Sequence, residues 1–282
     1  MEKMKQMLNN HLIRIFGLAT IVLLLLPHFV NAAPKPVLIE FWAQSVETNP
    51  AQINHSNWQT LLDRYVEDKH SSGINRFNYA GVTEKDKQLL FGYIDQLQSL
   101  DVRQYAKKEQ KCYWINLYNA LTVNLVLNAY PIESIKKLGK GFFSFGPWDD
   151  EIVTIQGQAL SLNNIEHGIL RPIWKDNRIH YAVNCASLGC PDLQKQAYTS
   201  TNTDNLLDKG AKDYVNHSRG VRFEGKNLVV SSIYHWYRDD FGRSDSKVIK
   251  HLIKYAQPQL KQKLSVYSDG FDHAYDWQLN GL

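Results

Sequence analysis

The apolar positions of this chain follow a helical period over most of its length, with a few short extended pieces between. Trp58-Gln-Thr-Leu-Leu-Asp-Arg-Tyr-Val66 spaces its apolar residues as an amphipathic helix does. Thr83, with Asp86 three residues on, reads as an N-cap ahead of Leu89, Leu90, Tyr93, Ile94 and Leu97. A long helix is expected from Val102 to Asn128, stopped by Tyr130-Pro131, with Trp114, Leu117, Leu121 and Leu125 as its apolar stripe. Glu151 to Ile155 with Gly157 reads as a strand and turn, and Ser161 as the cap of a helix carrying Ile165, Ile169 and Leu170. Arg178-Ile-His-Tyr-Ala-Val-Asn184 alternates and reads as a short strand, with Ile179, Tyr181 and Val183 on one face and His180, Ala182 and Asn184 on the other. A helix from Thr203 to His217, a hairpin through Glu-Gly-Lys, a helix from Ser232 to Phe241 and another from Ser244 to Leu264, bent at Pro258, complete the pattern. Residues 34–50 form a proline-bearing lead-in expected to drape over the surface.

The first residues belong to a different regime. Lys3, Lys5 and Arg14 precede an apolar run from Ile15 to Pro27, and Val30-Asn31-Ala32-Ala33 is a small-residue exit. That order is expected of a secretory signal peptide over residues 1–33, cut after Ala32 or Ala33. The apolar run is short for a spanning helix, which needs about 20 residues, so no stable membrane span is expected once it is cut. The protein is then periplasmic or secreted, with residues 34–282 as one domain. The expected fold class is α+β: a single mainly helical domain with a small antiparallel sheet.

Removing Lys3, Lys5, Arg14 and Glu2 takes the formal charge from +4 to +2, and no basic block remains. Nucleic acid is therefore not an expected partner. Lys136 to Asp150 is rich in glycine and aromatics, but matches neither nucleotide-binding glycine motif. A loop whose Phe142, Phe143, Phe145 and Trp148 cover a pocket is the better reading.

The candidate chemistry lies between Ser161 and Pro191. Glu166 and His167 sit on a helix, and the strand feeds Cys185-Ala-Ser-Leu-Gly-Cys190-Pro191. A thiolate is an effective nucleophile and needs a neighbouring imidazole or dipole to form near neutral pH. Cys185 is the candidate nucleophile and His167 the candidate base, with the 186–189 turn offering N–H groups to an oxyanion. The bland alternatives are a buried inert thiol and a packing histidine. Glu166, about 100° around the helix from His167, is badly placed to orient its neighbour's ring and would bind substrate or tie the helix to the fold. Asn116 and Asn119 are costly to bury without partners; bracing of neighbouring loops is expected of them, with orientation of the imidazole as the functional alternative. Ser187 is a polar member of the Cys loop, for substrate binding or structure.

Two further readings stay open. His167, His180, Cys185 and Cys190 are zinc-type donors, but the spacing is loose and no metal or cofactor is expected. Alternatively Cys185 and Cys190 form a disulfide that braces the loop of a non-catalytic ligand-binding domain. Cys112 reads as core, and His180 and His235 as structural. Asp240-Phe241-Gly242 copies three kinase letters without any accompanying motif and is set aside.

Taken together, Tyr113-Trp-Ile-Asn-Leu-Tyr-Asn-Ala120, Ser161-Leu-x-x-Ile-Glu-His-x-Ile-Leu-Arg171, Arg178 to Pro191, Ser232 to Gly242 and Tyr275-Asp-Trp-Gln-Leu-Asn280 resemble the domain-of-unknown-function family numbered 547. The resemblance covers nearly the whole chain after residue 33. It implies a cysteine-peptidase-like group, with a papain- or transglutaminase-like fold and thiol hydrolysis of small peptides. Relatives that keep Ile-Glu-His and the first loop cysteine, while the second becomes Ser, favour Cys185 over Cys190 as nucleophile and His167 as base. His235 departs from the family, which more often has Lys or Arg before the Trp-Tyr pair. The function expected is an exported cysteine-type hydrolase acting on amide bonds, its partner a small peptide or other small-molecule ligand; oligomeric state is left open.

Overall fold

A computed structural model describes residues 34–139 and 146–282, all within the unit Ala33–Leu282. The expected signal peptide and the three phenylalanines of the aromatic loop lie outside the described residues. The architecture is α+β and mainly helical. Among the described residues no helix is long and apolar enough to cross a membrane.

Three helices build the first half: α1 (Ser56–Tyr65), α2 (Glu84–Ser99) and α3 (Lys107–Ala129). Thr83 caps α2 as expected, accepting from Asp86 N. The long helix begins later than its pattern suggests. Asp101 caps a separate 3-10 turn, Val102–Gln104, and Ala106 is extended before α3 starts. Nor is α3 an amphipathic helix with one stripe: every residue from Glu109 to Val123 is buried. A helix enclosed on all sides is the centre of a core rather than its cover. Around it pack Trp42, Trp58, Tyr93, Ile165 and Leu193, among others.

The lead-in is not merely draped. It buries Trp42 edge-on against Trp114, with centroids 5.0 Å apart, and pairs its backbone with the segment that carries His167. Val37 N donates to His167 O at 3.0 Å and Ile39 N to Gly168 O at 2.9 Å. That segment, Asn164–Leu170, is a π-helix rather than the expected α-helix, and it runs directly into α4 (Arg171–Trp174). Its wider turn leaves carbonyls for the lead-in. The approach is close at Gly168, where a Cβ would stand 2.5 Å from Ile39 Cδ1 and force that side chain to shift.

The expected strand Arg178–Asn184 is instead a 3-10 helix, Asn177–Tyr181, followed by a turn at Ala182 and irregular chain. Asp176 caps it, accepting from Arg178 N and holding the Arg178 guanidinium. The alternation was one of residue type only, because all seven residues from Ile179 to Cys185 except Cys185 itself are buried.

Strands are short. Strands β1 (Val66–Glu67) and β2 (Arg76–Phe77) pair antiparallel, as do β3 (Val153–Ile155) and β4 (Gln158–Leu160). After α5 (Thr203–Asn216) come β5 (Val221–Glu224) and β6 (Asn227–Ser231), an antiparallel hairpin; β7 (Asp272–Ala274) then joins β6 in parallel. Among the described residues the single small antiparallel sheet is thus three small sheets, one of them mixed. The helix expected from Ser232 to Phe241 is only α6 (Ile233–Trp236) followed by turns. The last long helix divides into α7 (Asp245–Tyr255) and α8 (Pro258–Ser265), because the residue before a proline is pushed to extended backbone. A second apolar cluster, including Tyr181, Tyr214, Leu228, Tyr234 and Leu252, lies among α5, β5–β6 and α7.

Candidate active site

Cys185 follows a segment whose backbone is held by α3. Asn119 Nδ2 donates to Ala182 O at 2.9 Å, and its Oδ1 accepts from Asn184 N at 2.8 Å. Asn116 makes the same two-sided contact with the backbone of Tyr198, at 2.7 and 3.0 Å. Both amides are fully engaged with main chain. An orphaned buried backbone group costs about 1–3 kcal/mol. Asn119→Ala is therefore expected to lose about 2 kcal/mol in urea denaturation and to change the alkylation rate of Cys185. Asn116→Ala should lose a similar stability and leave that rate alone.

The C-terminal segment closes the loop from the other side. Leu188 N donates to Gln278 O, Gly189 N to Asp276 O, and Asn280 N to Ala186 O, at 2.8 to 3.1 Å. A Cβ at Gly189 would stand 2.7 Å from Asp276 N, so only glycine permits this approach. Ala186 is held at φ +56°, a left-handed conformation that costs a non-glycine residue roughly 1–2 kcal/mol. The loop N–H groups are largely spoken for: Ala186 N donates to Asn184 Oδ1, and Leu188 and Gly189 as above. Of the four expected oxyanion donors these three are committed, which leaves Ser187 N.

The Cys185 thiol is half-buried, whereas Cys112 and Cys190 are buried; all three are free. Sγ of Cys185 lies 3.2 Å from Ser187 Oγ and 3.0 Å from Tyr275 Oη, and those two hydroxyls are 3.1 Å apart. Cys190 Sγ accepts from Cys185 N at 3.0 Å. The Cys190 side chain, followed by Ser187 and Tyr275, stabilises the Cys185 thiolate against burial and draws its pKa below the usual thiol value, while the Glu166 charge opposes. Burial pushes Cys190 well up, so the pair divides into one ionisable and one neutral thiol.

His167 is elsewhere engaged. Its Nδ1 is 3.0 Å from Arg171 Nη1, which can only donate, so the ring proton sits on Nε2. The lone pair a general base needs is then occupied, and among the described residues no hydrogen bond joins His167 to Cys185. Burial, first, and the Arg171 charge hold the His167 pKa below its ordinary value.

His167 is the edge of a buried charge network that sequence reasoning missed. Arg171 Nε donates to Asp240 Oδ2 at 2.6 Å, and His180 Nε2 to the same oxygen at 2.7 Å. Glu166 Oε1 faces His180 Nδ1 at 3.4 Å as an ion pair without hydrogen-bond alignment, and lies 3.9 Å from the unprotonated His167 Nδ1. Side chains of Glu166, Arg171 and His180 are 5%, 4% and 2% exposed, so these charges are balanced by one another rather than by water. Burial works against His180, but the Asp240 hydrogen bond and Glu166 outweigh it and raise its pKa. Burial likewise works against Glu166, and His167, His180 and Arg171 overcome it, holding the carboxyl at about 2. Tyr237 stacks on His180 at 4.0 Å and lies under the Arg171 guanidinium. Tyr118 and Tyr237 are within electrostatic reach of both Glu166 and Cys185, which joins the network and the thiol into one region.

The zinc reading at this place has no support in geometry: His167, His180, Cys185 and Cys190 do not gather into a donor group among the described residues. His235 stacks on His273 at 4.1 Å. Asp240 was hidden in a discarded three-letter match, and Tyr275, 90 residues from Cys185, had only its place in the closing motif to signal it.

A family model described as a protein of unknown function, DUF547, matches residues 102–215. That stretch belongs to the DUF547 family. It carries α3 with Asn116 and Asn119, the Glu166-to-Arg171 segment, His180 and the whole Cys loop, while Tyr237, Asp240 and Tyr275 come from outside it. Comparison with curated proteins and with solved structures finds no match. The DUF547 description itself names no reaction, so the chemistry rests on the site.

Proposed function

We propose that this DUF547 protein is an exported cysteine-type hydrolase that cleaves amide bonds of small peptides, with Cys185 as nucleophile. The observation that carries the reading is the Cys185 thiol, the least buried of the three, touching two hydroxyls and drawn toward its thiolate form. In the proposed reaction Sγ attacks the amide carbonyl, the C–N bond breaks as the amine leaves with a proton, and water hydrolyses the thioester. Ser187 and Tyr275 hold the thiolate, and Ser187 N is the loop donor free for the oxyanion. His167 acts as base once Arg171 releases Nδ1. Peptidase-like architecture and export belong to the same proposal.

One observation favours a second reading, a non-catalytic ligand-binding domain. Three of the four loop N–H groups are engaged, which is poor provision for an oxyanion.

Mass-mapped iodoacetamide labelling from pH 5 to 9 without reductant, followed by a peptide-library turnover screen, separates the two. The hydrolase predicts fast labelling of Cys185 alone, with an apparent pKa below about 8.5, and turnover lost in Cys185→Ala and in His167→Ala. Turnover unchanged in Cys185→Ala would sink the hydrolase. A Cys185 found inert, or bonded to Cys190, at every pH would move the assignment to the binder.

A further inference from the structure

A second donor cluster lies away from the Cys loop, where the lead-in meets the start of α3. Glu109 and Cys112 are three residues apart and so share one helix face. His55, just before α1, reaches the same point, and one ligand atom from each of the three lies within 4.8 Å of the others. All three side chains are buried; His55 is 6% exposed.

We propose that His55 Nε2, a Glu109 carboxylate oxygen and Cys112 Sγ bind one Zn2+. The decisive observation is that His55 Nε2 is buried with no hydrogen-bond partner. Its other nitrogen, Nδ1, is 2.6 Å from Tyr93 Oη. A metal-bound histidine has this arrangement: one ring nitrogen fixed by an outer partner, the other free for the ion. The orphan would otherwise cost the desolvation of a polar nitrogen with no return. Glu109 is held too, since its Oε1 accepts from Ile53 N at 2.8 Å. The Cys112 thiol donates to the carbonyls of Lys108 and Glu109, at 3.3 and 3.1 Å, bonds that it gives up when it loses its proton to bind the ion. Thiolate, imidazole and carboxylate together are a zinc set, and three protein ligands leave a fourth position for water.

The placement gives the ion a structural task. It joins residue 55, next to Ile53 and just after the lead-in, to the first turns of α3. The same lead-in donates from Val37 and Ile39 to the π-helical segment bearing His167, and Pro34 O accepts from Arg171.

The test is to produce the protein in zinc-supplemented and in cobalt-supplemented medium and measure bound metal after gel filtration. One equivalent of zinc is expected, with a thiolate-to-cobalt charge-transfer band in the cobalt form. The band should vanish in Cys112→Ser and persist in Cys185→Ser, and bound metal should be lost in His55→Gln. Glu109→Gln, which keeps an acceptor for Ile53 N, guards against a folding defect: it should remain folded by circular dichroism and lose metal. A strong chelator should lower Tm of the wild type and not of His55→Gln. No stoichiometric metal in the wild type, or a band that survives Cys112→Ser and disappears in Cys185→Ser, overturns the proposal. Neither result depends on turnover, so the site stands or falls apart from the hydrolase.

Discussion

Asp240→Ala should cost this protein about 3–5 kcal/mol, the usual penalty for removing one partner of a buried ion pair. One carboxylate oxygen serves both the Arg171 guanidinium and the His180 imidazole. Taking it away leaves two buried cations facing a single carboxylate, Glu166, which is not aligned to hydrogen-bond either histidine. The loss follows from uncompensated charge more than from lost attraction. Asp240→Asn, which keeps an acceptor but not the charge, should fall between wild type and Asp240→Ala. Urea denaturation at pH 7 reads the stability. The histidine titration read by NMR reports the mechanism: the raised pKa of His180 should drop in Asp240→Ala. A loss below about 1 kcal/mol, the scale of an exposed pair, with an unmoved His180 would mean the network is not a unit.

How far the sequence foretold these elements depends on what kind of information each needed. Capping and turn chemistry is local, so Thr83 over α2, Gly157 in the β3–β4 turn and the β5–β6 hairpin were legible. Alternation in Arg178–Asn184 misled because a strand pattern reports an inside and an outside, and here His180 and Asn184 are as buried as Ile179. The same error hid the site. His180 reads as structural, yet its place between Glu166 and Asp240 outweighs its burial and favours the charged form. Asn119 was visible as a polar residue on an apolar helix, and its need for partners could be argued; that those partners would be Ala182 O and Asn184 N could not. Tyr275 and Asp240 reach the site through packing across 90 and 60 residues, from Cys185 and His180 respectively. No periodicity encodes such contacts.

Acid should weaken the protein well before its carboxylates titrate. His251 is pushed down to about 4 by burial, with Lys254 and His180 adding. His251 is held neutral against Tyr181 Oη at 2.7 Å, with Phe241 and Tyr255 packed on its ring. Between the ordinary histidine value of 6.5 and about 4, the unfolded chain takes up protons that the folded chain refuses. Stability therefore rises with pH across that window and is lost as pH falls through it, by about 3 kcal/mol for His251. His180 adds no slope there: its folded pKa is raised, so it is protonated in both states below its unfolded value, and its contribution fades only as pH climbs. Below about 4 the carboxylates take over. Glu166, held at about 2, and Asp240 and Asp176, both lowered, stabilise the fold above their unfolded values and lose that contribution as pH drops. Denaturation curves at pH 7, 5.5 and 4 should show most of the loss on the histidine limb. His251→Gln, which cannot take up the proton in either state, should flatten that limb and leave the lower limb in place. A stability that stays level from pH 6.5 to 4 would show that the folded protein protonates His251 without resistance. Burial would then not be the force that sets it.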